Sequence, residues 1–141
     1  MVQEGLVVKI FDRTLDALSK SLDLRSERQN IISSNIANAE TPGYQAQRID
    51  FEESLAAALE LDDASMSRTQ PGHMNSAGDI ASIEPEVYNN PNNVVREDGN
   101  TVDRDAEMFA LAENQIQYNA AVELLKRKVG LIKYSINEGS R

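Results

Sequence analysis

The sequence predicts a mainly α fold. Two long helices, one near each end of the chain, pair as a coiled coil, and a short third helix and an irregular middle segment with a small β-hairpin lie between them. Three observations lead there. From Phe11 the positions Phe11, Leu15, Leu18, Leu22, Arg25, Gln29, Ile32 and Ile36 follow a strict alternation of four and three, the spacing of a heptad seam. Leu111, Gln115, Tyr118, Val122, Leu125, Val129, Ile132 and Ile136 repeat that alternation near the other end. Each seam spans 26 residues, about 39 Å of helix, so the two are matched in length. Between them, residues 62–100 shift to Asp, Ser, Asn, Gly and Pro, with turn signals at Pro71-Gly72, Ala77-Gly78-Asp79, Asn90-Pro91 and Asp98-Gly99.

The first helix runs toward Ser33-Ser34-Asn35-Ile36-Ala37-Asn38. There Ser and Asn side chains compete for backbone hydrogen bonds, and the helix is expected to fray near Asn38. Pro42 disfavours the helical region for Thr41, and Gly43 tolerates positive φ, so Thr41-Pro42-Gly43-Tyr44 reads as a type II turn. In residues 45–64, Asp50 and Glu53 resemble a capping-box variant and Leu55, Ala56 and Leu59 supply an apolar face, which predicts about three helical turns. Short runs around Ile80-Ile83, and Val87-Tyr88 against Val94-Val95, are expected to form the hairpin. The last helix opens after Gly99 with Asn100, Thr101 or Asp103 as its cap. Asp105 and Glu107 suit the positive end of its dipole, and Lys126, Arg127, Lys128 and Lys133 suit the other end.

Polar residues interrupt both seams at Arg25, Gln29 and Gln115, a pattern that weakens a coiled coil but sets its register. A second apolar stripe, Phe109, Ile116, Leu124, Leu131 and Tyr134, lies off the seam of the last helix, and Ile10, Leu24 and Ile31 lie off that of the first. The middle segment is too polar to cover so much surface, so neighbouring subunits are expected to do so.

The net charge of −9 comes entirely from the middle. Residues 1–48 hold six basic and six acidic side chains and residues 101–141 six of each, whereas residues 49–100 hold two basic and eleven acidic. Such a balance argues against nucleic acid. Cysteine is absent and His73 is the single histidine, so Cys-His and multi-histidine sites are excluded, and no phosphate loop, dinucleotide fingerprint or Gly-x-Ser-x-Gly motif occurs. Neither Asp62-Asp63 nor the group Asp98, Asp103 and Asp105 follows EF-hand spacing. No catalytic residue, metal or cofactor is expected. The N-terminal residues lack the pattern of a secretory signal, and no stretch reaches membrane-spanning length.

The string Ser34-Asn35-Ile36-Ala37-Asn38-Ala39-Glu40-Thr41-Pro42-Gly43-Tyr44 resembles the signature of flagellar basal-body rod and hook proteins. Arg48-Ile49-Asp50-Phe51-Glu52, the patch from Arg68-Thr69 to Pro71-Gly72-His73-Met74, Asp98-Gly99-Asn100-Thr101-Val102-Asp103, and Leu111-Ala112-Glu113-Asn114-Gln115 with Tyr118 narrow the likeness to the proximal-rod member. Gln45-Ala46-Gln47 departs from the more basic segment expected after the tyrosine, which bears on local surface charge. The resemblance implies a structural subunit of the axial drive shaft for motility, exported through the flagellar type III channel without a cleaved signal and located in the periplasmic rod. It implies as partners copies of itself, other rod subunits, the basal-body adaptor and membrane-ring proteins, and the export gate, without membrane insertion.

The assembly motif expected on this basis is Asn35, Asn38, Thr41, Pro42, Gly43 and Tyr44, together with the apolar seam residues. The chain divides into residues 1–44, the helix and turn motif; 45–100, the short helix and acidic middle; and 101–141, the last helix, which packs with 1–44 as one inner-core domain. The residues alone leave open a soluble helical-hairpin adaptor or export chaperone.

Overall fold

Helix α1 (Val2–Ala37) leads through a tight corner into strand β1 (Gln47–Asp50) and helix α2 (Glu52–Ser65). Strand β2 (Glu86–Asn89) and helix α3 (Arg104–Glu138) follow. The structure is a computed structural model that describes residues 2–65, 80, 83–90 and 93–138. The patch at 68–74 with His73, and the side chains of Ile10, Phe11, Asp62 and Asp63, lie outside the described residues. As the sequence predicts, the protein is mainly helical, with its two long helices packed together.

The helices run antiparallel. Asn35 meets Glu107 at 3.1 Å, Gln29 meets Asn114 at 3.1 Å, and Arg25 reaches Gln117, so numbers rise on α3 as they fall on α1. On α1 the expected seam faces inward: Ile32 is buried, and Leu15, Leu18, Leu22 and Ile36 are half-buried. The seam on α3 is displaced. Glu107, Asn114 and Ala121 are its buried positions, flanked by half-buried Leu111, Tyr118, Leu125 and Ile132. Val122 is half-buried at the margin, whereas Gln115, Val129 and Ile136 are exposed. The facing line is thus rotated by roughly 50°, half the angular step of one residue, from the line of the larger apolar side chains. The corner causes this by seating Glu107 beneath Asn35, which brings 111, 114, 118 and 121 onto the same face.

Among the described residues, the other face of α1 is covered within the chain at Leu24 and Ile31, contrary to the expectation that the middle segment is too polar to do so. Leu24 joins Ile49, Phe51, Ile80 and Ile83 in the main core, with Ala17, Ile31, Leu55 and Ala58 packed against it. A few well-placed apolar residues suffice because β1 and the start of α2 deliver Ile49 and Phe51 together. Arg28 covers this core, its guanidinium 4.4 Å from the Phe51 ring centroid. It donates to the Ile49 carbonyl at 2.9 Å and to Glu52 Oε2 at 2.7 Å.

The small sheet also differs from the expectation. Val87 and Tyr88 pair with Ile49 and Arg48 in an antiparallel register from Gln47↔Asn89 to Asp50↔Glu86. Val94 and Val95 are exposed and lie outside any strand. Residues 47–50 are extended rather than helical because an α1 side chain holds the backbone of Gln47. Asp50 does not open α2; it accepts the Tyr88 hydroxyl at 2.6 Å, and the Phe51 carbonyl takes the first α2 hydrogen bond, from Leu55 N–H at 2.9 Å.

Burial pushes the Glu52 carboxyl up, but the hydrogen bond from Arg28, backbone donors and the Arg28 charge outweigh it and hold the group below its ordinary value. A carboxyl depressed in the folded state stabilises the fold above its unfolded pKa. That contribution is lost as pH falls through the carboxylate range toward the lower folded value. Arg28→Gln is therefore expected to flatten the acid limb of the stability–pH curve, measured by urea unfolding from neutral pH downward. An unchanged slope would show that this pair does not contribute.

Candidate functional site

The residues singled out by sequence meet at the reversal between α1 and β1. The end of α1 tightens. Asn38 N–H bonds to Ser34 O at 3.0 Å and Asn35 O at 3.2 Å, and Ala39 N–H reaches Ile36 O at 3.2 Å, a shift from α to 3₁₀ spacing. The Asn38 side chain donates to Ser34 O at 2.8 Å, the competition expected of asparagine in a last turn. Thr41 N–H then bonds to Asn38 O at 3.0 Å, and Tyr44 N–H to Thr41 O at 3.3 Å. Gly43 has φ +73°, the value required at the third position of a type II turn.

The second specific stretch, 98–103, lies directly on this corner. Gly43 N–H donates to Asp98 O at 2.9 Å. Gly99, with φ +79°, brings its backbone so close that a Cβ there would stand 3.4 Å from Gly43 Cα. Asn100, fully buried, donates both amide hydrogens to the end of α1, to Asn38 O at 2.9 Å and Thr41 O at 2.7 Å, and its Oδ1 accepts Val102 N–H at 2.7 Å. A side chain from 62 residues away thus adds a second donor to each of two carbonyls that already take a turn hydrogen bond. Thr101 continues the stitch. Its N–H bonds to Tyr44 O at 3.0 Å, and its Oγ1 accepts Ala46 N–H at 2.8 Å. Ala39, Ala46 and Val102 pack beneath these bonds against Tyr44.

Asn35 ties the corner to both β1 and α3. Its amide donates to Gln47 O at 2.8 Å and accepts Gln47 N–H at 3.0 Å, so the side chain acts toward β1 as a neighbouring strand would. Nδ2 also donates to Glu107 Oε2 at 3.1 Å, and Oδ1 accepts the Tyr44 hydroxyl at 3.3 Å. Glu107 is fully buried, and its other oxygen stands 3.1 Å from Arg48 in an ion pair. A buried acid is tolerable only with such partners, and removing one of them leaves a costly unpaired charge. Asp103 is the cap of α3, its Oδ1 accepting Asp105 N–H and Ala106 N–H at 3.1 Å each. Asn100 and Thr101, the other candidates for that cap, are engaged in the corner instead.

The structure thus gathers Asn35, Asn38, Thr41, Pro42, Gly43 and Tyr44 into one joint, with the seams running away from it. Sequence reasoning treated Glu107 only as a first-turn acid and gave Arg48 no role beyond its place in a family-like string. It also read Gln45-Ala46-Gln47 as a matter of surface charge. Ala46 is fully buried, Gln47 pairs with Asn35, and Gln45 donates to Gly99 O at 3.1 Å. The polar interruption of the helix pair centres on Asn114, which donates to Arg25 O at 2.9 Å and to Gln29 Oε1 at 3.1 Å, while Gln29 reaches exposed Gln115 at 3.4 Å. Among the described residues, no group of three or more His, Cys, Asp or Glu is placed to hold a metal ion, and no helix is long and apolar enough to cross a membrane. This chemistry holds backbone in place.

A family profile described as Flagella basal body rod protein matches residues 15–45, the last two thirds of α1 and the corner. Over most of its length the chain is similar to Flagellar basal body rod protein FlgB of Aeromonas hydrophila, 33% identical over 124 residues that cover 87% of this chain and 92% of that one. The same-named protein of Yersinia enterocolitica is 36% identical over 119 residues, covering 81% and 86% of the two chains. That of Salmonella typhimurium is 34% identical over 119 residues, with the same coverage.

Two outcomes follow from the joint and the seam. Asn35→Ala strips the Gln47 backbone and Glu107 of a partner, and Asn100→Ala removes the second donors to Asn38 O and Thr41 O and the acceptor of the buried Val102 N–H. Each is expected to cost about 1–3 kcal/mol in chemical denaturation, and a loss within the scatter of surface substitutions would refute the joint. Asn114→Ala is expected to cost a similar amount, whereas Gln115→Ala stays within about 0.5 kcal/mol; the reverse order would restore the unrotated seam.

Proposed function

The chain belongs to the flagellar basal-body rod protein family, and from that premise we propose that it is the proximal-rod subunit, assembling through coiled-coil packing of its terminal helices. As its relatives are, the protein is a structural subunit of the flagellar basal-body rod. In the assembled rod its terminal helices face other rod subunits and further copies of itself. The basal-body adaptor, the membrane-ring proteins and the export gate are its neighbours at the base, which it reaches by type III export without a cleaved signal. Residues 1–44 and 101–141 act as the inner core, with 45–100 outside it.

The observation that carries this reading is the interlock of the two most specific stretches, 34–44 and 98–103. A subunit of a drive shaft transmits torque, so the angle between its two long helices has to be held by something stiffer than a flexible loop. The joint meets that need with fully used amide donors and a close approach of Gly99 to Gly43. The apolar stripe left exposed on α3 agrees with a protein whose packing is completed by neighbours.

Gly43→Val tests the reading. A β-branched residue resists φ +73°, at about 1–3 kcal/mol of backbone strain. Nothing stands within 4 Å of a Cβ at position 43, so the change acts through the backbone of the corner and α1 itself is left intact. In a complementation assay the variant is expected to lose most motility and rod formation, while circular dichroism of the purified protein keeps the helix content. Normal rods with valine at 43 would overturn the role of the corner.

A further inference from the structure

The face of α3 that carries Phe109, Ile116, Leu124, Leu131 and Tyr134 has no partner among the described residues. Their exposures are 74%, 71%, 55%, 61% and 61%. Phe109 lies two residues beyond Glu107, the first buried contact with α1, and therefore about 200° around the helix, on the opposite side. The stripe is continuous at helical spacing through exposed Glu113, Ala120 and Arg127. An apolar band of this length on a helix already packed on its other side marks an interaction surface.

We propose that a second copy of this chain covers the stripe in solution, its α3 lying antiparallel on the first about a two-fold axis at Ala120. Charge selects the direction. On the stripe itself Glu113 lies toward the start of α3 and Arg127 toward its end, with Glu123 beside Arg127 on the same helix. A parallel pair would set like charges side by side, whereas an antiparallel pair sets opposite charges together.

One antiparallel register also matches the side chains. With Ala120 opposite its own copy, Phe109 falls opposite Leu131, Ile116 opposite Leu124, and Glu113 opposite Arg127, each match occurring twice by symmetry. The small side chain at the axis lets the helices approach, and the large apolar side chains lie on both sides of it. Arg127, which stands 3.3 Å from Glu123 on its own helix, would bridge Glu123 and the Glu113 of the other copy. Such a pair is isologous and closes on itself. It therefore goes beyond the rod reading, since it describes free protein rather than a polymer, and it stands or falls separately.

The absence of cysteine makes the test direct. Ala120→Cys in the otherwise intact chain is expected to form a disulfide-linked dimer under mild oxidation about tenfold or more faster than exposed Val94→Cys. In sedimentation velocity, Glu113→Arg and Arg127→Glu are each expected to weaken dimerisation about tenfold, and the double variant to restore it to within about threefold of the parent. Circular dichroism checks that all four remain folded. Crosslinking at 120 no faster than at 94, or a double variant no better than either single one, would overturn the proposal. So would a monomeric parent that binds anionic lipid vesicles through the same stripe.

Discussion

Two buried asparagine amides hold this fold in its shape. A chain that reverses between a long helix and a strand leaves the corner carbonyls held by single turn bonds, and gives both polar groups of the first extended residue and the buried Val102 N–H to side chains for pairing. Buried unpaired groups of this kind cost on the order of 1–3 kcal/mol each. Asn100 takes the helix-end carbonyls of Asn38 and Thr41, and Asn35 takes the N–H and C=O of Gln47. Both are amides because only that group offers two donors and an acceptor in one plane. A carboxylate at 35 would lose both donors and face the buried acid Glu107.

Much of the remaining architecture follows from this pairing. With one edge of β1 occupied by the Asn35 amide and by Arg28 at Ile49, its other edge is open to β2, so the small sheet forms across the middle segment rather than within it. Ile49 and Phe51 then fall on the inner side of α1, and Leu24 is buried without help from another subunit. On the opposite side, the bond from Asn35 to Glu107 fixes which face of α3 meets α1. That choice places Asn114 and Ala121 at the interface and leaves Val129, Ile136 and the whole Phe109–Tyr134 stripe outside. Helix pairing is thus set from the corner outward, and apolar content is subordinate to it.

The helices and the corner were legible from local rules. Periodicity located α1 and α3, and the Thr41-Pro42-Gly43-Tyr44 string carried its own turn chemistry. What was not legible depended on long-range polar contacts. The heptad reading of α3 chose Gln115, Val122 and Val129 over Asn114, Ala121 and Lys128, because hydrophobicity alone favours them and nothing local announces a hydrogen bond to Arg25 on another helix. Glu107 looked like an ordinary first-turn acid, since its burial depends on Asn35 and Arg48, 72 and 59 residues distant in the chain. The hairpin was misassigned for a related reason: Val94 and Val95 are better strand formers than Gln47 and Arg48, yet only the latter are held extended by a neighbouring side chain.

The central claim is that the two amides, rather than the seams, set the antiparallel alignment of α1 and α3. Spin labels at exposed Ser19 and Glu123, introduced as the chain's two cysteines and diluted with unlabelled protein, report the separation of the helices by double electron–electron resonance. The parent is predicted to give one narrow distance distribution, and the Asn35→Ala, Asn100→Ala double variant a broad or shifted one while its helix content persists. A narrow distribution unchanged by loss of both amides would contradict the account and assign the alignment to the seams.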